Sequence, residues 1–259
     1  DAATGKVHRL PPGIEQRPAS ETEIASAGAL IAPFLRDPAK PILLAIARPV
    51  KKKNLISLVQ AYADNAMLRG RANLVILPGL RQSVETGERE QVEVMRELVD
   101  AIDAHDLHGS VAYPRRHDQY DVRGLYALAA RSGGVFVNPA LIEPFGLTIL
   151  EAAVHGLPVV ATRYGGPVDI VADLEHGLLV DPRCPPAIGD AIAKLMDDES
   201  LWRRCSANGR QNVSGMCWSA YAKGFCAIAR QILGRSACAA PAVARSAIRG
   251  LLLCDIDNT

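Results

Sequence analysis

The sequence lacks the charge and the long apolar segments that mark two classes of protein. Its formal net charge is only +1 over 259 residues. A chain with so little excess charge has no bulk attraction to nucleic acid or to an anionic membrane surface. No apolar run approaches the roughly 20 residues needed to cross a bilayer. We therefore expect neither a nucleic-acid partner nor a membrane partner.

Paired cysteines and phosphate-binding glycine motifs are missing as well. The six cysteines include no Cys-x-x-Cys pair, which argues against a zinc site or a disulfide scaffold and favours reduced thiols in the cytoplasm. No Gly-x-Gly-x-x-Gly follows a predicted strand, which argues against a dinucleotide-dependent oxidoreductase. The absence of a glycine-rich phosphate-binding motif argues against a P-loop NTPase as well. The chain opens at Asp1 without a signal-like segment, so we expect that this residue is not the native start.

Apolar runs that alternate with helical patterns fill the middle of the chain. Runs typical of buried parallel strands lie at 42–47, 73–78, 135–138 and 158–161. This alternation predicts an α/β fold, with a Rossmann-like parallel sheet and helices on both faces, over residues 15–234. We expect an entering linker at 1–14, an Ala/Ser/Arg-rich linker at 235–249 and a further strand at 250–259. Asp121 is predicted to cap the helix that runs to Ala130.

One stretch, residues 138–162, carries most of the chemistry. It predicts a strand that ends at Asn138, a Pro-Phe-Gly turn, a helix from Leu147 and a second buried strand. In such units the carboxyl end of a strand lies beside a helix N-terminus. Free N–H groups and the helix dipole there favour a phosphate.

Two carboxylates frame this turn in a Glu-x7-Glu pattern, Glu143 before the helix and Glu151 within it. In a binding site, Glu143 would reach a sugar hydroxyl and Glu151 would accept from a ribose diol. In a purely structural role, Glu143 caps the helix and Glu151 is a solvated helix residue. The glycine between them, Gly146, favours a loop built for close backbone approach.

Basic residues follow the first predicted strand. Arg48 comes directly after it, and Lys53 lies five residues further on, within a run of three lysines. A lysine run is by itself typical of a solvated loop. An arginine fixed at a strand end together with this lysine indicates a clamp for a diphosphate.

The segment from Glu143 to Glu151 resembles the Glu-x7-Glu signature of retaining GT-B glycosyltransferases. The longer run from Asn138, with residues 165–170 and 177–182, resembles sucrose-phosphate synthases over most of the chain, from Leu10 to Leu233. The resemblance implies the C-terminal, donor-binding half of a GT-B fold. It also implies UDP-glucose as the donor, and fructose 6-phosphate as an acceptor held by a missing N-terminal domain.

The resemblance also implies roles for single residues. Arg48, Lys53 and Glu143 would be catalytic, Glu151 would hold the ribose, and the transfer itself would need no metal or other cofactor. Asn54 stands where many relatives carry glycine. The implied donor-binding residues are Arg48, Lys53, Glu143, Phe145, Gly146, Leu147, Thr148 and Glu151.

The last residues form a separate motif. A short apolar run is followed by Asp255 and Asp257, in a pattern that resembles the first motif of haloacid-dehalogenase-like phosphatases. There the first aspartate attacks phosphorus and Mg²⁺ sits between the two. Magnesium is therefore expected only in a complete phosphatase-like domain, most of which this sequence does not contain.

Three other assignments fit the same residues. They are a mannosylfructose-phosphate synthase that uses GDP-mannose, a sucrose synthase, and a non-catalytic module that binds a nucleotide sugar. Because the acceptor half is missing, we expect that this chain alone binds the donor without turning it over.

Overall fold

The computed structural model describes residue 10 and residues 13–232. The chain divides into two units, one of residues 14–215 and one that includes the helix Trp218–Ile232. Most of the predicted linker at 1–14, and all of the linker and strand predicted at 235–259, lie outside the described residues, as do Asp255 and Asp257. The predicted domain limits of 15 and 234 stay a prediction.

A six-stranded, wholly parallel sheet forms the centre of the larger unit, in the order β3-β2-β1-β4-β5-β6. The predicted Rossmann-like α/β class is therefore confirmed. The strands are β1 Ile42–Ile46, β2 Asn73–Leu77, β3 Val111–Ala112, β4 Val135–Asn138, β5 Val159–Thr162 and β6 Gly177–Val180.

Helices cover both faces of this sheet, and most of them follow the predicted patterns. The stretch that follows Asn54 forms two helices, because Asn65 adopts an extended conformation and caps the second of them. The helices of the larger unit are α1 Glu21–Ile31, α2 Leu55–Asp64, α3 Ala66–Arg71, α4 Arg89–Ala104, α5 Gln119–Arg131, α6 Leu147–Val154, α7 Pro167–Leu174, α8 Pro185–Asp197 and α9 Glu199–Asn212, and α10 Trp218–Ile232 belongs to the other unit. Among these described helices, none combines the length and the apolar character needed to cross a membrane.

The apolar runs become central strands because both of their faces are covered. In β1, Leu43 and Ala45 pack into one core with α2, α4 and α8, while Ile42 and Leu44 pack into the opposite core with α1 and α5. This alternation is the two-residue period of a strand. Each such buried leucine or isoleucine contributes about 1.5–3 kcal/mol of burial free energy, which fixes the register of the sheet.

The start of α5 differs from the prediction. Asp118, not Asp121, is the N-cap residue, and its carboxylate accepts from the Asp121 N–H at 2.8 Å. The Asp121 side chain accepts in return from the Asp118 N–H at 3.0 Å. The two aspartates form a capping box, in which both residues bind free helix N–H groups, so the sequence offered two suitable caps three positions apart.

The strand order reverses between β1 and β4. From β1 the chain runs outward through β2 and β3, and β4 then returns to the other side of β1. At such a switch point the loops that follow the two central strands diverge and leave a crevice at their carboxyl ends. Here those loops are residues 47–54 and 139–146, the two loops that carry the basic residues and Glu143.

Candidate functional site

An ion pair connects the two loops at the switch point. The Lys53 Nζ lies 2.7 Å from the Glu143 Oε2. The lysine side chain is 22% exposed and the glutamate side chain 10% exposed. The pair therefore lies at the base of the crevice, where its charges are only weakly screened.

Glu143 is buried but stays ionised. Burial by itself raises the pKa of its carboxyl group, but the Lys53 ammonium and hydrogen bonds from Asn138 and the Phe145 N–H outweigh burial and lower the pKa. The Asn138 Nδ2 donates to Glu143 Oε2 at 3.2 Å. Glu143 does not act as the helix cap, because the N-cap residue of α6 is Gly146. The carboxylate is held by a cation and an amide inside the crevice.

Asn54 has a backbone conformation that few residue types tolerate. Its backbone is left-handed, with a φ of 56°, a conformation that glycine and asparagine tolerate best. Its Nδ2 donates to the Pro139 carbonyl at 3.0 Å and to the Pro182 carbonyl at 2.8 Å. Asparagine thus keeps the backbone shape that glycine allows and also ties three loops of the carboxyl edge together.

Arg48 extends from the carboxyl end of β1 and is half-buried. Its Nε is buried and has no hydrogen-bond partner among the described residues. A buried donor without a partner requires a physical explanation. A ligand anion in the crevice would accept from this donor, as the predicted diphosphate clamp requires.

Two helices point uncapped N-termini at this crevice. The N-cap residues of α2 and α6 are Asn54 and Gly146, and neither caps its helix with a side-chain hydrogen bond. The N–H groups of Leu147 and Thr148, in the first turn of α6, have no acceptor within their helix. These donors and the helix dipole can bind an anion. Phe145 is 69% exposed and its N–H donates to Glu143, so its predicted contact with the donor stays a prediction.

The second glycine turn, at Gly165 and Gly166, supports the Glu143 loop. A side chain on Gly165 would place its Cβ 2.1 Å from the Glu143 carbonyl oxygen. The Glu143 N–H donates to the Tyr164 carbonyl at 3.0 Å, and its carbonyl accepts from the Gly166 N–H at 2.8 Å. The turn therefore acts as a close backbone connection.

Glu151 lies in a different setting, on the side of α6 that faces α5. It is half-buried, and burial raises the pKa of its carboxyl group, so it is not a solvated helix residue. The Tyr126 hydroxyl lies 3.0 Å from its Oε2. Burial raises the pKa of Tyr126 well above its usual value, which keeps the hydroxyl protonated and able to donate. Glu151 and Tyr126 line a cavity of about 90 Å³ between the two helices.

Arg81 is a buried residue of this edge that the sequence did not reveal. It is 8% exposed and follows β2. Its guanidinium donates to the Pro114 carbonyl at 3.0 Å and to the Tyr113 carbonyl at 2.6 Å, and burial lowers its pKa. Arg81 thereby anchors the loop that follows β3 to the loop that follows β2.

The structure brings the predicted residues together in two groups. Arg48, Lys53, Glu143 and the start of α6 share the crevice, whereas Glu151 lies about a helical turn further along α6. Sequence reasoning missed Asn138, Tyr126 and His155 as partners of the two glutamates. A signal existed for His155, because it follows Glu151 by four residues and therefore lies on the same face of the helix.

Comparisons with known proteins relate this geometry to one family and one fold. The sequence model of the glycosyl transferases group 1 matches residues 29–212. A probable sucrose-phosphate synthase of Craterostigma plantagineum is 47% identical over 192 residues, which are 74% of this chain. The chain spans only 18% of the length of that relative.

Solved structures show the same architecture. The sucrose-phosphate synthase of Thermosynechococcus elongatus superposes with a TM-score of 0.70 at 27% identity, over 88% of this chain and 53% of that protein. HepE of Anabaena, solved in complex with UDP-glucose, has a TM-score of 0.68 at 18% identity, over 86% of this chain and 56% of its own. At that lower identity the likeness shows the fold alone.

Proposed function

We propose, from the premise that this chain belongs to the family of glycosyl transferases group 1, that it is the donor-binding half of a sucrose-phosphate synthase. The whole enzyme would transfer glucose from UDP-glucose to fructose 6-phosphate with retention, and would release UDP. The observation that carries the proposal is the Lys53–Glu143 pair at the switch point, beside Arg48 and the uncapped start of α6. The identity with the Craterostigma plantagineum protein supports the choice of substrates.

The chemical problem is the departure of a charged leaving group. The bond from the anomeric carbon to the diphosphate breaks, and its electron pair leaves with UDP. A bond forms between the anomeric carbon and the acceptor hydroxyl oxygen, and the proton of that hydroxyl passes to the departing UDP. Arg48, Lys53 and the N–H groups of Leu147 and Thr148 would stabilise the charge that develops on the diphosphate. Donors that are fixed in advance can do this without a metal, and we propose that the transfer uses none.

The two glutamates would contact opposite ends of the donor. Glu143 is ionised and fixed by Lys53 and Asn138, so it can hold glucose hydroxyls or support positive charge on the sugar ring. Glu151, on the far side of α6, would accept from the ribose. A non-catalytic module is a weaker alternative, because the residues that the resemblance assigns to catalysis and donor binding, Arg48, Lys53, Glu143 and Glu151, are all present.

The remaining parts of the reaction lie outside this chain. The fructose 6-phosphate site would belong to the N-terminal domain, so we expect no sucrose 6-phosphate formation by the chain alone. We also propose that Asp255 and Asp257 begin a phosphatase-like domain that binds Mg²⁺ only when complete. The cysteine pattern supports a location in the cytoplasm.

Titration with three donors tests which transferase this is. We expect UDP-glucose to bind at least about tenfold tighter than ADP-glucose or GDP-mannose, a difference of about 1.4 kcal/mol. We propose that the loop after β3 lies beside the base, and Arg81 holds that loop, so it cannot readily move to admit a larger purine. Isothermal calorimetry on the purified chain measures the ranking. If GDP-mannose binds tightest, the mannosylfructose-phosphate synthase assignment replaces this one.

A further inference from the structure

The cavity beside Glu151 contains a second polar group that the proposed function does not use. His155 ends α6 and lines this cavity together with Glu151 and Tyr126. Its ring stacks on the Tyr126 ring, with centroids 5.6 Å apart and planes 12° from parallel. The orientation of the imidazole is therefore fixed by a buried aromatic residue of α5.

The hydrogen bond of one ring nitrogen determines what the other can do. His155 Nδ1 lies 2.9 Å from the Glu151 backbone oxygen. A carbonyl oxygen only accepts, so Nδ1 carries the proton. Burial lowers the pKa of His155, which keeps the ring neutral at pH 7. Nε2 is then an acceptor, and it is buried without a partner among the described residues.

Glu151 offers a second acceptor to the same cavity. The Tyr126 hydroxyl lies within hydrogen-bond distance of Oε2, and no described residue donates to Oε1. The two arginines in the cavity wall are already paired. Arg17 binds Glu23, and Arg123 lies 2.9 Å from Glu23 and 3.3 Å from Glu15. His155 Nε2 and Glu151 Oε1 are thus two acceptors of this wall to which neither arginine donates.

Two neighbouring acceptors require a ligand that donates twice. A metal ion is a poor candidate, because the described part of the chain has no group of three or more His, Cys, Asp or Glu residues that could hold one. A vicinal diol donates two hydroxyl protons from adjacent carbons. The cavity of about 90 Å³ is large enough for hydroxyl groups and too small for a whole sugar nucleotide.

We propose that His155 is a binding residue for the donor nucleotide, with Nε2 accepting from one hydroxyl of the ribose diol while Glu151 accepts from the other. The inference rests on the proposed function, since it adds a residue to the same site. It predicts that Glu151 and His155, four positions apart, each bind one hydroxyl of the ribose diol. A ribose that lacks the diol would leave both acceptors buried without a partner, which is unfavourable.

The test compares UDP with 2′,3′-dideoxy-UDP on the wild type and three variants. We expect His155→Phe to keep the ring stacked on Tyr126 and to weaken UDP binding roughly tenfold, as expected for one buried hydrogen bond. Binding of the dideoxy analogue should be the same in the wild type and His155→Phe. His155→Gln, whose side-chain oxygen can accept, should recover part of the affinity for UDP. His108→Phe makes the same change at an exposed histidine and should leave both ligands unaffected.

Each outcome has a defined meaning. If His155→Phe weakens both ligands equally, or weakens neither, the residue is structural and the proposal is overturned. A wild type that binds UDP and its dideoxy analogue equally well overturns it without any variant. If the wild type binds UDP-glucose but His155→Phe leaves the preference for UDP over the dideoxy analogue unchanged, only the inference fails. A wild type that binds neither UDP nor UDP-glucose removes the proposed function and the inference together.

Discussion

Replacing Lys53 by methionine is expected to weaken UDP-glucose binding about 100-fold and to lower the free energy of unfolding by about 3 kcal/mol. The affinity falls because the cation that we propose to bind the diphosphate is lost. The stability falls because Glu143 loses the cation, 2.7 Å away, that offsets the cost of burying its carboxylate. Calorimetric titration and urea unfolding measure the two effects.

Two further variants separate these effects. Lys52→Met removes the same charge from an exposed neighbour that makes no ion pair with any described residue, so stability should change by less than about 0.5 kcal/mol. The double variant Lys53→Met/Glu143→Gln leaves no unpaired buried charge and should recover most of the stability but none of the affinity. If Lys53→Met binds UDP-glucose as tightly as Lys52→Met does, Lys53 has no role at the diphosphate.

Replacing Gly165 by alanine is expected to lower the free energy of unfolding by about 4 kcal/mol and to abolish measurable UDP-glucose binding. Two costs add. Gly165 has a φ of 99°, which costs a residue with a side chain about 1–3 kcal/mol. The new Cβ would lie 2.1 Å from the Glu143 carbonyl oxygen, and such overpacking costs a similar amount. Relief of this clash would move the loop that holds Glu143.

Gly133→Ala provides the control, because Gly133 has a φ of 73° but no atom within 4 Å of its added Cβ. We expect this variant to lose about 1 kcal/mol and to bind UDP-glucose normally. The difference between the two variants in the free energy of urea unfolding separates the cost of the close contact from the cost of the backbone strain. Equal destabilisation of the two variants would show that the approach of Gly165 to Glu143 is unimportant.

The parts of the fold that follow from local pattern were predictable. Buried parallel strands are continuous apolar runs, and 42–47 and 135–138 stand out because both sheet faces are covered. The first residue of a helix was harder to predict where two nearby residues can both act as the N-cap. Asp118 and Asp121 can both cap a helix, and the structure uses both in one capping box.

The partners within the site were less predictable, because they depend on the strand order. Lys53 and Glu143 are 90 residues apart and meet only because β4 returns to lie beside β1. Tyr126 meets Glu151 because α5 packs next to α6, which no periodicity in either helix encodes. The sequence pointed to the individual charged residues, and the topology determined their neighbours.

Calorimetric titration of the chain with UDP-glucose, in the wild type and in Glu151→Gln, tests most directly whether a complete donor site exists here. Glutamine keeps the shape of Glu151 and removes a charged acceptor, so we expect one saturable site in the wild type and binding about 30-fold weaker in the variant. Glu97→Gln, at an exposed position of α4, should bind like the wild type. Absence of binding by the wild type, or equal affinity in Glu151→Gln, would contradict the account.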